Sequence, residues 1–318
     1  MNDAHMKQET GAAIRLLRKK KGLSQKALAD LASCSRDTIM RIENGTRDAH
    51  PHTLHNILGV LGVSFEAFSS HIYGTDMQAF NDDFARVWDA GFAGEYDTMA
   101  ILLAELKCKG YYDVNIPTIA QAVLLCEGVL ASAYNEYSKS LEMLYDALQL
   151  TTASILSECR KLSYIDISAS TLSINEYRIL KGIAKSKFGA GQHQESIDIY
   201  QAIITSLERK NTGYELQKKL LPGTYFNMSN RLLDLKCYDS AFDITNHAVD
   251  FCHKAKEFKL IGHLLCNKGR VFYYMGNIEQ ATFFLQKSYE TFVTHGDTSS
   301  AEHLKKIAME KYGIIAEH

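Results

Sequence analysis

Arg36, Asp37 and Arg41 fall within one short stretch, behind Ser35 and Thr38 and ahead of Asn44 and Gly45. A guanidinium can pair bidentately with guanine, and a carboxylate can accept from the N4 amino group of cytosine. Just before them Arg15, Arg18, Lys19, Lys20, Lys21 and Lys26 form a basic cluster suited to phosphate contact, with a solvated helix face as the alternative. Much later in the chain come Asn227, Asn230 and Asn267. Each Asn amide offers a donor and an acceptor, which suits clamping a peptide backbone independently of its side chains. Hydrogen bonds between helices are the alternative use of the same groups.

The elements that must position the first group are short helices. Ile14, Leu17 and the following Leu23 anchor a helix over roughly 8–20, and Gly22 ends it. Ser24 caps a second helix, with Leu28 and Leu31 turned inward and Ala27, Ala29 and Ala32 permitting close packing. Ser33 and Cys34 make the turn. Ser35 caps a third helix whose Ile39 and Ile42 face the core, and Asn44 and Gly45 stop it. Pro51 suits the first position of a fourth helix, and Leu54, Ile57, Leu58 and Leu61 give it one apolar face. Gly62 ends that helix. Ser64 caps a fifth, where Phe65 and Phe68 close the core.

Composition frames this. The 318 residues suffice for two domains, and 3 Pro with 20 Gly argue against a loop-rich or all-β fold. Residues 1–70 hold ten Lys/Arg against seven Asp/Glu, whereas the rest hold 25 against 30. No apolar run approaches the ~18 residues of a membrane span, and no hydrophobic signal segment opens the chain. Seven Cys without a C-x-x-C pair fit reduced thiols in a cytoplasmic protein and make a structural zinc site improbable.

Five short helices with a tight turn between the second and third resemble the lambda-repressor-like, or Xre-type, helix-turn-helix family. Ser24, Gln25, Leu28, Ala29, Ser35, Ile39, the Ile42–Gly45 run and the Leu61–Ser64 run carry the resemblance. Cys34 departs from it, since a Val-like residue is common there; a thiol is a small hydrophobe and fits. The family places the third helix in the major groove. The resemblance puts Arg36, Asp37 and Arg41 at base-facing positions, with Ser35 and Thr38 assisting near the helix start. Gln25 and Asn44 match phosphate-contacting positions, and Arg18 and Arg47 are further phosphate candidates. Surface capping or salt-bridge roles are the alternative for each. Glu43 reads as a fold-supporting ion-pair partner, with Arg18 as the candidate cation. One such module binds weakly and the chain holds one copy, so a homodimer on paired half-sites is expected.

After a junction at 71–75 the chain becomes a series of amphipathic helices. Ser140/Leu144/Ala147, Ser196/Tyr200/Ile203, Ala241/Thr245/Ala248 and Ala281/Leu285/Ser288 align as columns at i, i+4, i+7, three residues after Tyr137, His193, Tyr238 and Ile278. The columns are separated by 56, 45 and 40 residues, and an earlier degenerate unit lies around Gly94 to Asp97 with Met99 and Leu103. Small residues at a helix crossing allow close approach, and stacked pairs bury a continuous core. The units resemble tetratricopeptide repeats longer than the 34-residue norm. Aligning the last two units sets Asn227 over Asn267 and Asn230 over Arg270, with Gly182 and Lys185 at the corresponding earlier positions. Lys185, Asn227, Asn230, Asn267 and Arg270 are therefore the candidates for an extended peptide in the concave groove. Lys181, Lys185 and Arg231 could neutralise a carboxylate, or remain solvated charge.

The expected architecture is all-α: a five-helix lambda-repressor-like domain over 1–70, a linker at 71–75 and a tetratricopeptide-like α-solenoid over 76–318. This combination resembles the RRNPP-type regulators. The resemblance implies a cytoplasmic homodimer that binds double-stranded operator DNA, does not enter the membrane, and is switched by a short signalling peptide bound in its solenoid. A regulator whose solenoid binds a protein, or serves only as a dimer scaffold, is the alternative. No catalytic residue, cofactor or metal is expected. Gly189 and Gly191 lie in a turn without the Lys-Ser/Thr of a phosphate loop, and His50, His52 and His55 have no carboxylate or Cys to complete a metal set.

Overall fold

In the computed structural model the described residues are 3–63, 68, 75–110, 112–113, 116–152, 155–156, 161–170, 172–209 and 213–316. Their regular elements are helices, apart from an isolated antiparallel bridge between Leu156 and Leu162. They form two compact units, Met1–Cys126 and Glu127–His318. The linker expected at 71–75 falls almost wholly outside the described residues, as does the fifth helix apart from Phe68.

The first unit opens with α1 (Asp3–Lys20), α2 (Gln25–Leu31), α3 (Arg36–Glu43) and α4 (Pro51–Leu61). Ser24 caps α2 by accepting from the Ala27 N–H at 3.0 Å, and Ser35 caps α3 by accepting from the Thr38 N–H at 3.0 Å. Gly22, Gly45 and Gly62 follow α1, α3 and α4 with φ near +70°, the conformation that lets an ending helix turn away. Ile14, Leu28, Ile39, Ile42, Ile57, Leu61 and Phe68 meet in one core. Leu31, expected inside, is 61% exposed. At ~100° per residue it lies off the stripe that Leu28, Ala29 and Ala32 bury. Gly11 is what lets α1 lie against the end of α3, because a Cβ there would meet the Ile42 carbonyl oxygen at 2.2 Å. The same unit contains α5 (Thr75–Ala93) and α6 (Tyr96–Lys107), and the degenerate repeat foreseen at Gly94 is this pair, with Met99 and Leu103 buried. α7 (Pro117–Ala133) runs across the division between the units.

The second unit continues with α8 (Tyr137–Gln149), the short α9 (Tyr164–Ala169), α10 (Ile174–Gly189), α11 (His193–Leu207), α12 (Tyr214–Asp234), α13 (Tyr238–Ala255), α14 (Ile261–Tyr274), α15 (Ile278–Thr294) and α16 (Thr298–Ile307). A π-helical turn, Ala308–Tyr312, follows. α10 pairs with α11, α12 with α13 and α14 with α15, while α10, α12 and α14 pack in sequence on one another. Each second helix also packs on the first helix that follows it, α11 on α12 and α13 on α14, which is the layering of a solenoid. The long 56-residue spacing is explained by α9, which packs on α11.

Every residue of the four columns is buried, and Ser140 and Ser288 show why small residues stand there. Ser140 Oγ donates to the Gly128 carbonyl and Ser288 Oγ to the Gly262 carbonyl, both at 2.7 Å. Leu144 and Leu285 fill the space a Cβ on Gly128 or Gly269 would need. Between paired helices the turns are also alike. Gly94, Asn135, Gly191, Lys236, Gly276 and Gly296 each take positive φ, from +61° to +84°, one residue before the next helix's cap.

Candidate functional site

The outer face of α3 starts at Ser35, whose hydroxyl also hydrogen-bonds to Thr38 Oγ1 at 2.9 Å. One turn of helix brings Asp37 beside Arg41, and Arg41 Nε lies 2.8 Å from Asp37 Oδ2. Arg36 and Arg47 are exposed and make no ion pair or hydrogen bond with the described residues. The helix thus presents Arg36 and the Asp37–Arg41 pair to solvent while Ile39 and Ile42 anchor its back.

Behind α3 lies a network that engages three of the expected phosphate contacts and draws one of them, Arg18, inward. Arg18 is a correction. It is 8% exposed, with Nε 2.5 Å and Nη2 2.9 Å from the two Glu43 carboxylate oxygens, and Nη1 donates to the Leu23 carbonyl at 2.7 Å. Gln25 Nε2 donates to Glu43 Oε2 at 2.9 Å, and Asn44 Oδ1 accepts from Arg15. Burial pushes the Glu43 carboxyl upward, but its bonds from Arg18 and Gln25 and the charges of Arg18 and Arg15 outweigh that and hold it below its ordinary value. Glu43 is therefore the ion-pair partner read from the sequence, and it locks α1, α2 and α3 together. Gln25 and Asn44 remain at the surface, already oriented by these bonds. His52 and His55 are exposed on α4, and among the described residues no group of three or more metal-ligating side chains is assembled.

In the second unit, α12 and α14 bring Asn230, Asn267 and Arg270 into the wall of a cavity of about 570 Å³. Arg270 Nη1 donates to Asn230 Oδ1 at 2.7 Å and to Asn267 Oδ1 at 2.9 Å. Asn267 is 1% exposed, and its Nδ2 donates to Ser229 Oγ at 3.3 Å, which in turn shares a 2.7 Å hydrogen bond with Thr245. Its amide is thus spent inside the protein, the interhelical use named as the alternative. Asn227 is half-buried on α12 and Lys185 is exposed on α10, and neither lines this cavity.

The opposite wall comes from residues outside the repeat columns. His303, Leu304 and Ile307 of α16 face the cavity, as do Lys311 and Tyr312 of the π-helical turn. Aromatic groups surround its base: the His263 ring lies 4.8 Å from Phe292 and 5.6 Å from Phe226, and burial lowers the His263 pKa. Burial pushes the Tyr312 hydroxyl up to about 12. The repeat alignment stopped at α15, so no internal match pointed to α16.

Residues 9–67 match a helix-turn-helix domain model, and residues 152–293 match the RNPP family C-terminal domain. No curated protein matches the chain. Among solved structures, PlcR of Bacillus thuringiensis in complex with the peptide PapR7 and DNA is 19% identical, with a TM-score of 0.66 over 93% of this chain and 99% of PlcR. The SHP pheromone receptor Rgg2 of Streptococcus dysgalactiae is 16% identical at a TM-score of 0.55, covering 93% of this chain and 97% of Rgg2. ComR of S. thermophilus, in complex with DNA and its signalling peptide ComS, is 13% identical at 0.55, covering 93% and 97%. At these identities the likeness is one of fold. The chain thus joins a helix-turn-helix domain at residues 9–67 to the C-terminal domain of the RNPP family at residues 152–293.

Proposed function

We propose that this protein is a cytoplasmic, homodimeric transcription regulator that binds operator DNA through α3 and is switched by a short signalling peptide held in its helical repeats. Residues 1–70 serve as the DNA-binding domain and 76–318 as the peptide-binding and dimerisation domain. The reading rests on a single pairing: one chain carries both an exposed, arginine-bearing recognition helix and a large polar cavity on its first-helix stack. Complexes of PlcR and ComR with both DNA and a peptide support it.

On DNA, Arg36 reads a base, and Arg41 joins it once a base edge competes with Asp37 for its guanidinium. Ser35 and Thr38 assist near the helix start. Arg47, Gln25 and Asn44 address phosphates. In the repeats, Asn230 and Arg270 contact the peptide, Asn267 holds Arg270 in place, and Asn227 and Lys185 extend the groove beyond the cavity. The peptide switches the protein only through a difference in affinity between two dimer arrangements. A coupling of about 1–3 kcal/mol changes DNA occupancy about 5–150-fold.

The test is selection of bound duplexes from a random DNA pool by the full chain, repeated with a library of short synthetic peptides. The expected product is a site of two half-sites spaced by whole helical turns, whose occupancy shifts at least about fivefold with some peptides. Absence of any selected sequence would remove the DNA reading. Occupancy insensitive to every peptide would remove the switch.

A further inference from the structure

Within the cavity, Arg270 carries a charge that no described residue of the wall neutralises. Its hydrogen-bond partners are the amide oxygens of Asn230 and Asn267, both neutral. Asp234 supplies the one carboxylate among the described lining residues, and it lies 3.3 Å from Arg231 on its own helix. Lys311 and His303 bring further basic groups to the exposed rim. Neutral acceptors fix a guanidinium's orientation without cancelling its charge, so the site is preorganised for an anion.

The scaffold behind Arg270 supports this use. The chain of hydrogen bonds from Thr245 through Ser229 and Asn267 reaches across three helices and ends on Nη1. Phe226, Tyr274 and Phe292 line the same space and offer apolar contact beside the charge. Planar carboxylates match the guanidinium fork with charge-assisted hydrogen bonds. Phosphate would use the same fork, but the ring-lined wall suits the mixed apolar and acidic surface of a peptide.

We propose that Arg270 is the anchor for a carboxylate of the bound peptide, either its free C-terminus or an acidic side chain. This rests on the peptide-binding reading and names the chemistry of its anchor. Binding of short linear synthetic peptides to the full-length protein tests it, with each sequence made as free acid and as C-terminal amide, and with each Asp or Glu replaced by Asn or Gln.

Wild-type protein should prefer the carboxylate form of its best binders by about tenfold or more. Whichever replacement removes that preference identifies the source. Arg270→Gln should reduce the preference below about twofold, and Arg270→Lys should retain part of it because the charge survives. Circular dichroism and melting of both variants control for folding. If Arg270→Gln does not fold, the wild-type comparison and Arg270→Lys still decide. Neutral peptides that bind as tightly as acidic ones would overturn the anchor and leave peptide binding standing. An undiminished preference in Arg270→Gln would do the same. If no peptide binds the wild type, the peptide reading falls and the anchor falls with it.

Discussion

Arg18 and Glu43 stand 25 residues apart in sequence and face each other inside the first unit, the guanidinium Nε and Nη2 bridging both carboxylate oxygens. The pair joins the end of the first helix to the end of the recognition helix, so the placement of α3 depends on it. Glu43→Gln should destabilise the domain by about 3 kcal/mol, because Arg18 is left buried without a counter-charge. Replacing both by Leu should recover most of that loss. Urea denaturation of the single and double variants checks it. An equal loss in the double variant would show that the charges are not what couples these helices.

The same pair predicts an acid dependence. Glu43 has a folded pKa below its unfolded value. Its contribution is therefore fully present above the ordinary carboxylate range, ~4.3, and is lost as pH falls through the lower folded value. Unfolding midpoints between pH 7 and pH 3 should drop more steeply in the wild type than in Glu43→Gln. Parallel curves would remove Glu43 from the acid transition.

Arg36 is exposed and makes no ion pair or hydrogen bond with the described residues, so its removal should spare the fold. Arg36→Ala should weaken binding to a selected operator by about 1–3 kcal/mol and relax sequence preference at one position, with an unchanged melting temperature. Arg47→Ala should instead weaken binding evenly across sequences and lower the salt slope by about one unit. Fluorescence anisotropy over a salt series separates the two. Unaltered operator affinity and preference in Arg36→Ala would defeat the base contact.

Lys236 occupies the turn position held by Gly in four of the equivalent turns, with φ +61°. Lys236→Gly should raise stability by about 1 kcal/mol, since the left-handed conformation costs an L-residue about that much. Gly276→Ala, at φ +83°, should lower it by a similar amount. Opposite signs in thermal melts are the expected result. A destabilising Lys236→Gly would mean that the lysine side chain makes up for its backbone strain.

Asn230 and Asn267 sit in equivalent arrangements around Arg270 but differ in burial. Asn267→Ala should destabilise the second unit by about 1–3 kcal/mol, because a buried hydrogen-bond network loses its centre. Asn230→Ala should leave stability nearly unchanged and weaken peptide binding. Melting temperature against peptide titration distinguishes them. Equal loss of stability in both would assign Asn230 to the scaffold as well.

The helix-turn-helix and the repeats were legible because both are written in local patterns. Ser24 and Ser35 act as caps wherever a helix follows, and Gly22, Gly45 and Gly62 end helices by conformational freedom. The columns Ser140/Leu144/Ala147 through Ala281/Leu285/Ser288 needed only the period of a helix and the size of a side chain. Leu31 was misread because seven residues are too few to define a buried stripe by periodicity. The wall formed by α16 was missed because the segment carries no copy of the repeat.

By itself the sequence determined where helices begin and end, which faces could pack, and which residues could meet DNA or a peptide. Local hydrogen bonding and side-chain volume decide those matters within a few residues. Only tertiary structure decided what the polar groups do once packed. Arg18 looked like Arg47, and Asn267 looked like Asn230, because a side chain's chemistry is the same in either setting. Partners 25 and 38 residues away, Glu43 and Ser229, drew Arg18 and Asn267 into the interior. Once dehydrated, each had to be satisfied within the protein.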